Sequence, residues 1–351
     1  TNGDIVVDNE DITWSTSRSR VARTPLPAIL TTDNLTIVNY ANVDYSSALT
    51  VVSALTIDQK AFLGITSSVS TNNLVIHNNA YLYNDVGANV SYSSLDWNGG
   101  GFVDNGGTLQ LLSGGGDLTI PATSTLFANV PRSYSNVTVS GTLTHTDNTD
   151  SEAYKIDFSI SGNLTISSTG SVNANSKGYS DGYGLGDGTD GDGGAGGAAH
   201  GGHGGNGQTR AGSTFSYGSA TQPNTIGSGG GHRSYAAGHG GGAVKFIVGG
   251  RADIGGPISV NGGNGGSVDH HGSGGGSGGS VWIDANEIVG NSTISANGGN
   301  GSGDTYYGDS GAGGGGRIAL YYSSTNLTVD QFSVKGGIPN GDNGNIQKGG
   351  A

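Results

Sequence analysis

Asn34-Leu35-Thr36-Ile37 returns as Ala54-Leu55-Thr56-Ile57, Asn73-Leu74-Val75-Ile76, Asp117-Leu118-Thr119-Ile120 and Asn136-Val137-Thr138-Val139. Further copies stand at Asn163-Leu164-Thr165-Ile166 and Asn326-Leu327-Thr328-Val329, with a looser one at Ser94-Leu95-Asp96-Trp97. From Leu35 the second position recurs at 55, 74, 95, 118 and 137, in steps of 20, 19, 21, 23 and 19 residues. A period near 20 belongs to repeat architectures, where one repeat cannot bury its apolar face except against its neighbours. Inside each phrase apolar residues alternate with Thr, the period-two pattern of a half-buried strand. Working outward, a second short apolar segment follows each phrase: Val43-Asp44-Tyr45, Phe62-Leu63-Gly64-Ile65, Tyr81-Leu82-Tyr83, Phe102-Val103-Asp104, Leu126-Phe127 and Leu143-Thr144-His145. Asn, Ser, Gly and Asp fill the gaps, residues that make turns through left-handed backbone and side-chain-to-backbone bonds.

A longer register takes over after residue 150. Ala243-Val244-Lys245-Phe246-Ile247, Ser280-Val281-Trp282-Ile283 and Arg317-Ile318-Ala319-Leu320 align at steps of 37 and 37. Their downstream partners begin at Ile258, Ile294 and Phe332, at steps of 36 and 38, and Val172-Asn173-Ala174-Asn175 fits the same slot one repeat earlier. One body satisfies both registers: an all-β, right-handed parallel β-helix, each coil laid on the previous one about 4.8 Å away. The expected divisions are 1–30, a cap or strand-exchange segment; 31–150, coils of about 20 residues; and 151–351, coils of about 37 residues continuous with them.

The added length is glycine. Gly accounts for 70 of 351 residues with only seven Pro and no strict Gly-X-Y period, so collagen is excluded. Excursions 176–241, 262–279 and 298–316 leave at one repeat position and would lie side by side along one edge. Gly201, Gly204 and Gly207 fall every third residue, as do Gly193 and Gly196. That spacing lets extended left-handed segments approach where a Cβ would collide.

Charge narrows the partners. With 27 Asp and Glu against 14 Lys and Arg, the chain lacks the cationic face that nucleic-acid binding needs. Arg18, Arg20 and Arg23 read as a solvated turn. No Cys is present, hence no disulfide, and no apolar run approaches a membrane span. The absence of Met, even at position 1, fits a processed product, and an uncharged Ser, Thr, Asn and Gly surface fits an extracellular or cell-surface setting.

From about residue 150 the phrases GGSVWIDANEIVGNSTISANGGNG and GAGGGGRIALYY resemble the Gly-rich repeats of large bacterial secreted and surface proteins, grouped with adhesins. The resemblance implies a right-handed β-helix and a surface role, and it carries no catalytic residues across. The end, Lys348-Gly349-Gly350-Ala351, matches Gly241-Gly242-Ala243 in register, the lead-in to a strand that is missing. The expectation is that the native chain continues or that another molecule supplies the next coil. Head-to-tail self-association through coil ends, or through Ile5-Val6-Val7 and Ile12-Thr13-Trp14, follows from the unpaired edge.

Three constellations bear on chemistry. Tyr179, Tyr183, Tyr217, Tyr235, Tyr306 and Tyr307 lie in or beside Gly tracts, where exposed rings could stack on carbohydrate or else plug between segments. Asp187, Asp190 and Asp192 read first as solvated turns, with Ca2+ the one cofactor such oxygen-rich spacing suggests. His200, His203, His232, His239, His270 and His271 all fall in excursions, and His200-x-x-His203 could face a metal, although structural or surface roles are favoured. Sequons at Asn34, Asn89, Asn136, Asn163, Asn291, Asn300 and Asn326 are candidate glycosylation sites. Asp44, Asp96, Asp104, Asp157 and Asp284 share no slot, so no catalytic residue is assigned. The function expected is a non-enzymatic structural or adhesive subunit of a surface filament or envelope layer. The alternative is a β-helix that binds or cleaves polysaccharide, as tailspikes and lyases do.

Overall fold

The computed structural model describes residues 3–9, 23–26, 28, 30–109, 115–191, 194–232, 236–268, 271–303, 308–339 and 349–350. The fold is all-β with parallel sheets, and among the described residues there is no α-helix and no helix able to cross a membrane. One hairpin, Ser267–Val268 with His271–Gly272, is antiparallel. The chain divides into two compact units, Thr1–Thr144 and His145–Ala351.

In the first unit one row of strands runs Ile5–Asp8, Leu30–Val38, Leu49–Ile57, Ser68–His77, Asn89–Asn98 and Thr108–Leu109. A second row runs Arg23–Thr24, Asn42–Tyr45, Phe62–Ile65, Tyr81–Asn84, Gly101–Asp104, Thr125–Ala128 and Thr142–Thr144. Because the sequence period equals one repeat, like side chains land on like. Leu35, Leu55, Leu74 and Leu95 form one ladder, and Ile37, Ile57, Ile76 and Trp97 the next. Val43, Leu63, Leu82, Phe102, Leu126 and Leu143 form the ladder of the second row. All of these except the half-buried Leu95 are buried. Each such aliphatic side chain contributes about 1.5–3 kcal/mol.

The repeated phrase is only the latter half of its strand. Leu30–Val38 starts four residues before Asn34, and register shifts after Thr32 and after Val51 mark bulges in this row. The bulge breaks the two-residue alternation, which hides the preceding buried positions Leu49, Val69, Val90 and Leu109 from a periodicity reading. Between the two rows the chain turns on paired left-handed residues, Asn39-Tyr40 (φ 53° and 62°), Gln59-Lys60 (51° and 61°) and Asn78-Asn79 (46° and 60°). Turns of successive repeats bond to each other, Tyr40 N–H to Gln59 O and Lys60 N–H to Asn78 O.

In the second unit Ile156, Val244, Val281 and Ile318 align across four parallel strands, as do Phe158, Phe246, Ile283 and Leu320. Val172, Ile258, Ile294 and Phe332 align in another row. Just past that row the side-chain oxygen of Asn175 accepts the N–H of Asn261 (2.7 Å). Asn261 accepts Asn297 N–H (2.7 Å), and Asn297 accepts Lys335 N–H (2.8 Å). A parallel ladder runs from Asn264 to Asn300 to Ile338. Each of these Asn side chains thus satisfies a backbone N–H of the next repeat beyond the strand row, where the chain leaves the sheet.

The glycine excursions are built on backbone bonds with a period of three. In segment 273–279, Gly275 and Gly278 donate to Gly311 and Gly314; Gly274 and Ser277 donate to Gly231 and Ser228; Gly276 and Gly279 donate to Gly263 and Val260. The same segment accepts from Ala198, from Gly238 and Gly241, and from Gly299. Residues three apart therefore face the same neighbour, as in a left-handed threefold extended chain. Segment 273–279 is surrounded by six others: 194–199, 226–231, 236–242, 261–266, 297–302 and 309–316. Such packing leaves no room for a side chain, since a Cβ on Gly275 would stand 2.2 Å from Gly299 O. The described parts of the excursions are an ordered bundle.

Candidate functional site

The bundle brings three of the expected tyrosines to one place. Tyr179 is pinned by its backbone, donating to Gly227 O (3.0 Å) and accepting from Gly240 N–H (2.8 Å). Its ring lies against Gly184, which at φ +106° has no Cβ in the way. The chain then turns through Tyr183, whose carbonyl accepts Gly229 N–H (2.9 Å) and whose side chain is 50% exposed. Leu185 follows at 66% exposed. Gly186 donates to Ser228 Oγ (3.0 Å) and abuts the carbonyl of Phe215, a residue 59% exposed. Tyr183, Leu185 and Phe215 are thus exposed apolar side chains carried on neighbouring segments of a polar, glycine-rich framework.

Ser228 also belongs to a closed polar network. Tyr217 is buried, and its hydroxyl donates to Ile226 O (2.7 Å) and meets Ser228 Oγ at 2.8 Å. Its ring sits 4.7 Å from that of His200. His200 is fully buried, with Nδ1 2.8 Å from Gly278 O and Nε2 2.9 Å from Thr225 Oγ1. A carbonyl can only accept, so Nδ1 carries the proton and Nε2 accepts from Thr225. Burial pushes the His200 imidazole down to about 4, opposed by the bond to Gly278, and pushes the Tyr217 phenol up. Tyr217 is therefore unavailable to stack on a ligand, a correction to the expectation for that residue: its hydroxyl and its ring are both spent inside. Tyr179 is half-buried and Tyr183 is exposed, while Tyr235, Tyr306 and Tyr307 lie outside the described residues.

Asp187 and Asp190 follow Tyr183 and Leu185 along the same segment. The Asp187 carboxyl is raised, first by burial and then by Asp190. Asp190 is engaged by His232, accepting its N–H at 2.8 Å with Nδ1 at 3.2 Å. Among the described residues no three His, Asp or Glu side chains converge on one point. Asp192, His270 and the side chain of His271 lie outside the described residues. His200 and His203 do not act as a pair, since one is buried and the other exposed. His239 sits 3.8 Å from Asp181.

The sequons fall mostly where Asn links neighbouring strands. Asn34 donates to Asp4 (2.8 Å), Asn136 donates to Asp117 (2.9 Å), and Asn163, Asn300 and Asn326 accept backbone N–H groups of Arg251, Ile338 and Gly290. Asn89 and Asn291 are exposed. Strand-to-strand bonding accounts for much of the recurrence of Asn at these turns.

Leu185 and Phe215 escaped the sequence reading because isolated apolar residues in a Gly tract carry no periodicity. Their spacing on either side of the His200 segment gives no signal either, since only the bundle's folding back joins them. Searches of family models, of curated proteins and of solved structures returned no match.

Proposed function

We propose that this chain is a non-enzymatic extracellular structural or adhesive unit, in which the parallel sheets of each unit are the faces of a right-handed β-helix. Strand pairing that steps by one repeat in every row supports the helix, and right-handed crossovers are the rule for parallel connections. The observation that carries the adhesive reading is the exposed trio Tyr183, Leu185 and Phe215 on a framework held by backbone bonds. Rigidly held apolar side chains bind with little ordering cost, which is what a contact surface requires. The test is retention of the purified protein on a panel of intact cells. Replacing all three residues by Ser is expected to lower retention about tenfold or more with an unchanged melting temperature. Equal retention would remove the adhesive reading.

Self-association belongs to the same proposal. Arg317–Tyr321 is paired on one side only among the described residues, and Ile318 and Leu320 are half-buried where Val281 and Ile283 are fully buried. An unpaired edge of this kind is a template for a further parallel strand. Sedimentation at rising concentration is expected to show growing species that Ile318→Glu abolishes; concentration-independent monomers would end the idea. Surface polysaccharide is the second reading, favoured by a different face of the second unit.

A further inference from the structure

We propose that the outward face of Ile156–Ile160, Ala243–Ile254, Ser280–Gly290 and Arg317–Tyr321 is a binding groove for an uncharged polysaccharide. It is separate from the exposed Tyr183, Leu185 and Phe215, and its test does not depend on them.

Alternation puts Val244, Phe246, Val281 and Ile283 inside. The outward positions are therefore in register as two rows: Asp157, Lys245, Trp282 and Ala319, then Ser159, Ile247, Asp284 and Tyr321. In the first row the Lys245 ammonium is 3.3 Å from the Asp157 carboxylate and 5.3 Å from the centre of the Trp282 ring. Lys245 is thus neutralised by Asp157 while it holds the indole in place. Ala319, the smallest side chain of the row, leaves a step beside that ring. In the second row Asp284 is exposed and, among the described residues, makes no ion pair or hydrogen bond, between Ile247 and the 40%-exposed Tyr321. Tyr322 follows at 49% exposed.

Loop 217–225 walls one side through three bonds. Arg317 Nε donates to Tyr217 O (3.0 Å), Ser280 Oγ donates to Thr225 O (2.6 Å), and Tyr321 OH donates to Thr221 O (2.7 Å). The tyrosine ring is fixed by its bond to the wall. Between the loop and the strands only a water-sized cleft remains, lined by Lys155, Asp157, Asn224 and Lys245.

These groups match a sugar chain. Fixed aromatic rings offer apolar faces to pyranose C–H groups and give up little conformational freedom on binding. The exposed Asp284 carboxylate accepts hydroxyl hydrogen bonds. Charge selects the class: Lys245 is paired with Asp157, and the Asp284 carboxylate is balanced by Arg317, whose guanidinium bonds a neutral carbonyl, so the face carries no net charge to recruit an acidic polysaccharide.

The test titrates the protein with hexasaccharides of glucose, mannose and xylose, and with the hexamer of galacturonate, by calorimetry. At least one neutral hexasaccharide is expected to bind. Trp282→Ala should weaken it about thirtyfold and Asp284→Asn about tenfold, with Trp282→Phe restoring most of the affinity. The Tyr183, Leu185 and Phe215 triple variant should bind the sugar as the parent does. A melting temperature within the parent's range for Asp284→Asn keeps the result readable if Trp282→Ala unfolds. No binding of any neutral hexasaccharide at millimolar concentration, preference for the galacturonate hexamer, or affinity indifferent to both variants would overturn the proposal.

Discussion

His200 shows how a residue in a glycine tract becomes part of a support. It was one of six histidines in glycine tracts, and nothing in its neighbours marks it as buried; the contacts that bury it come from residues 217, 225 and 278. His145, also buried, is likewise held down to about 4, chiefly by desolvation. Both rings are neutral in the folded chain at pH 7, while the unfolded chain takes up their protons near 6.5. Stability is therefore complete above pH 6.5 and falls as pH drops toward 4, by about 3 kcal/mol for each histidine. Chemical denaturation from pH 7 to pH 4 is expected to show that loss, and His200→Gln should reduce its slope to about half. A pH-independent midpoint would contradict both burial assignments. A second residue-scale expectation concerns the bundle: Gly275→Ala places a methyl against Gly299 O and should lower the melting temperature by several degrees. An Ala at the exposed Gly116, which has open space around it, should not.

Among the elements, the repeated strand was legible because Leu, Thr and Ile alternate, and the all-β parallel character follows from the equal spacing of those strands. The paired left-handed turns were not legible. Tyr40, Gln59 and Lys60 are poor candidates for positive φ, at a cost of about 1–2 kcal/mol per residue. Stacking offsets this strain: Lys60 Nζ reaches Tyr40 OH at 2.9 Å, and Asn78 donates to Asp58 at 2.7 Å. Such compensation appears only when repeats lie one on another. Asp104, one of several acids scattered along the sequence, is buried on the second strand row and clamped by Arg132 through two bonds of 2.6 and 2.7 Å. Arg132→Ala is expected to destabilise the first unit by about 3–5 kcal/mol, because it strands a buried charge. Arg132→Ala with Asp104→Ala should recover much of that loss in urea melts; an additive double variant would show that the pair is not coupled.

At the scale of the whole molecule, the sequence shows its framework far more clearly than its surfaces. Ladders repeat, so composition and spacing reveal them. The exposed trio of Tyr183, Leu185 and Phe215 and the outward rows around Trp282 occur once each, and they depend on chain reversals that no local pattern encodes. Trp282 and Tyr321 lie in strands identified from the sequence, yet their companionship with Asp284 across the groove needed the register.

Threefold backbone geometry sets a rule for how the glycine arms can change length. Adding or deleting a triplet within an arm returns every later residue to its former orientation, whereas a change of one or two rotates the remainder into the wrong partners. Natural variants of this protein should therefore differ inside these arms by multiples of three, with other lengths confined to the connecting tips. Loop tips could then diversify at the far end of the arms while the scaffold beneath keeps its bonding.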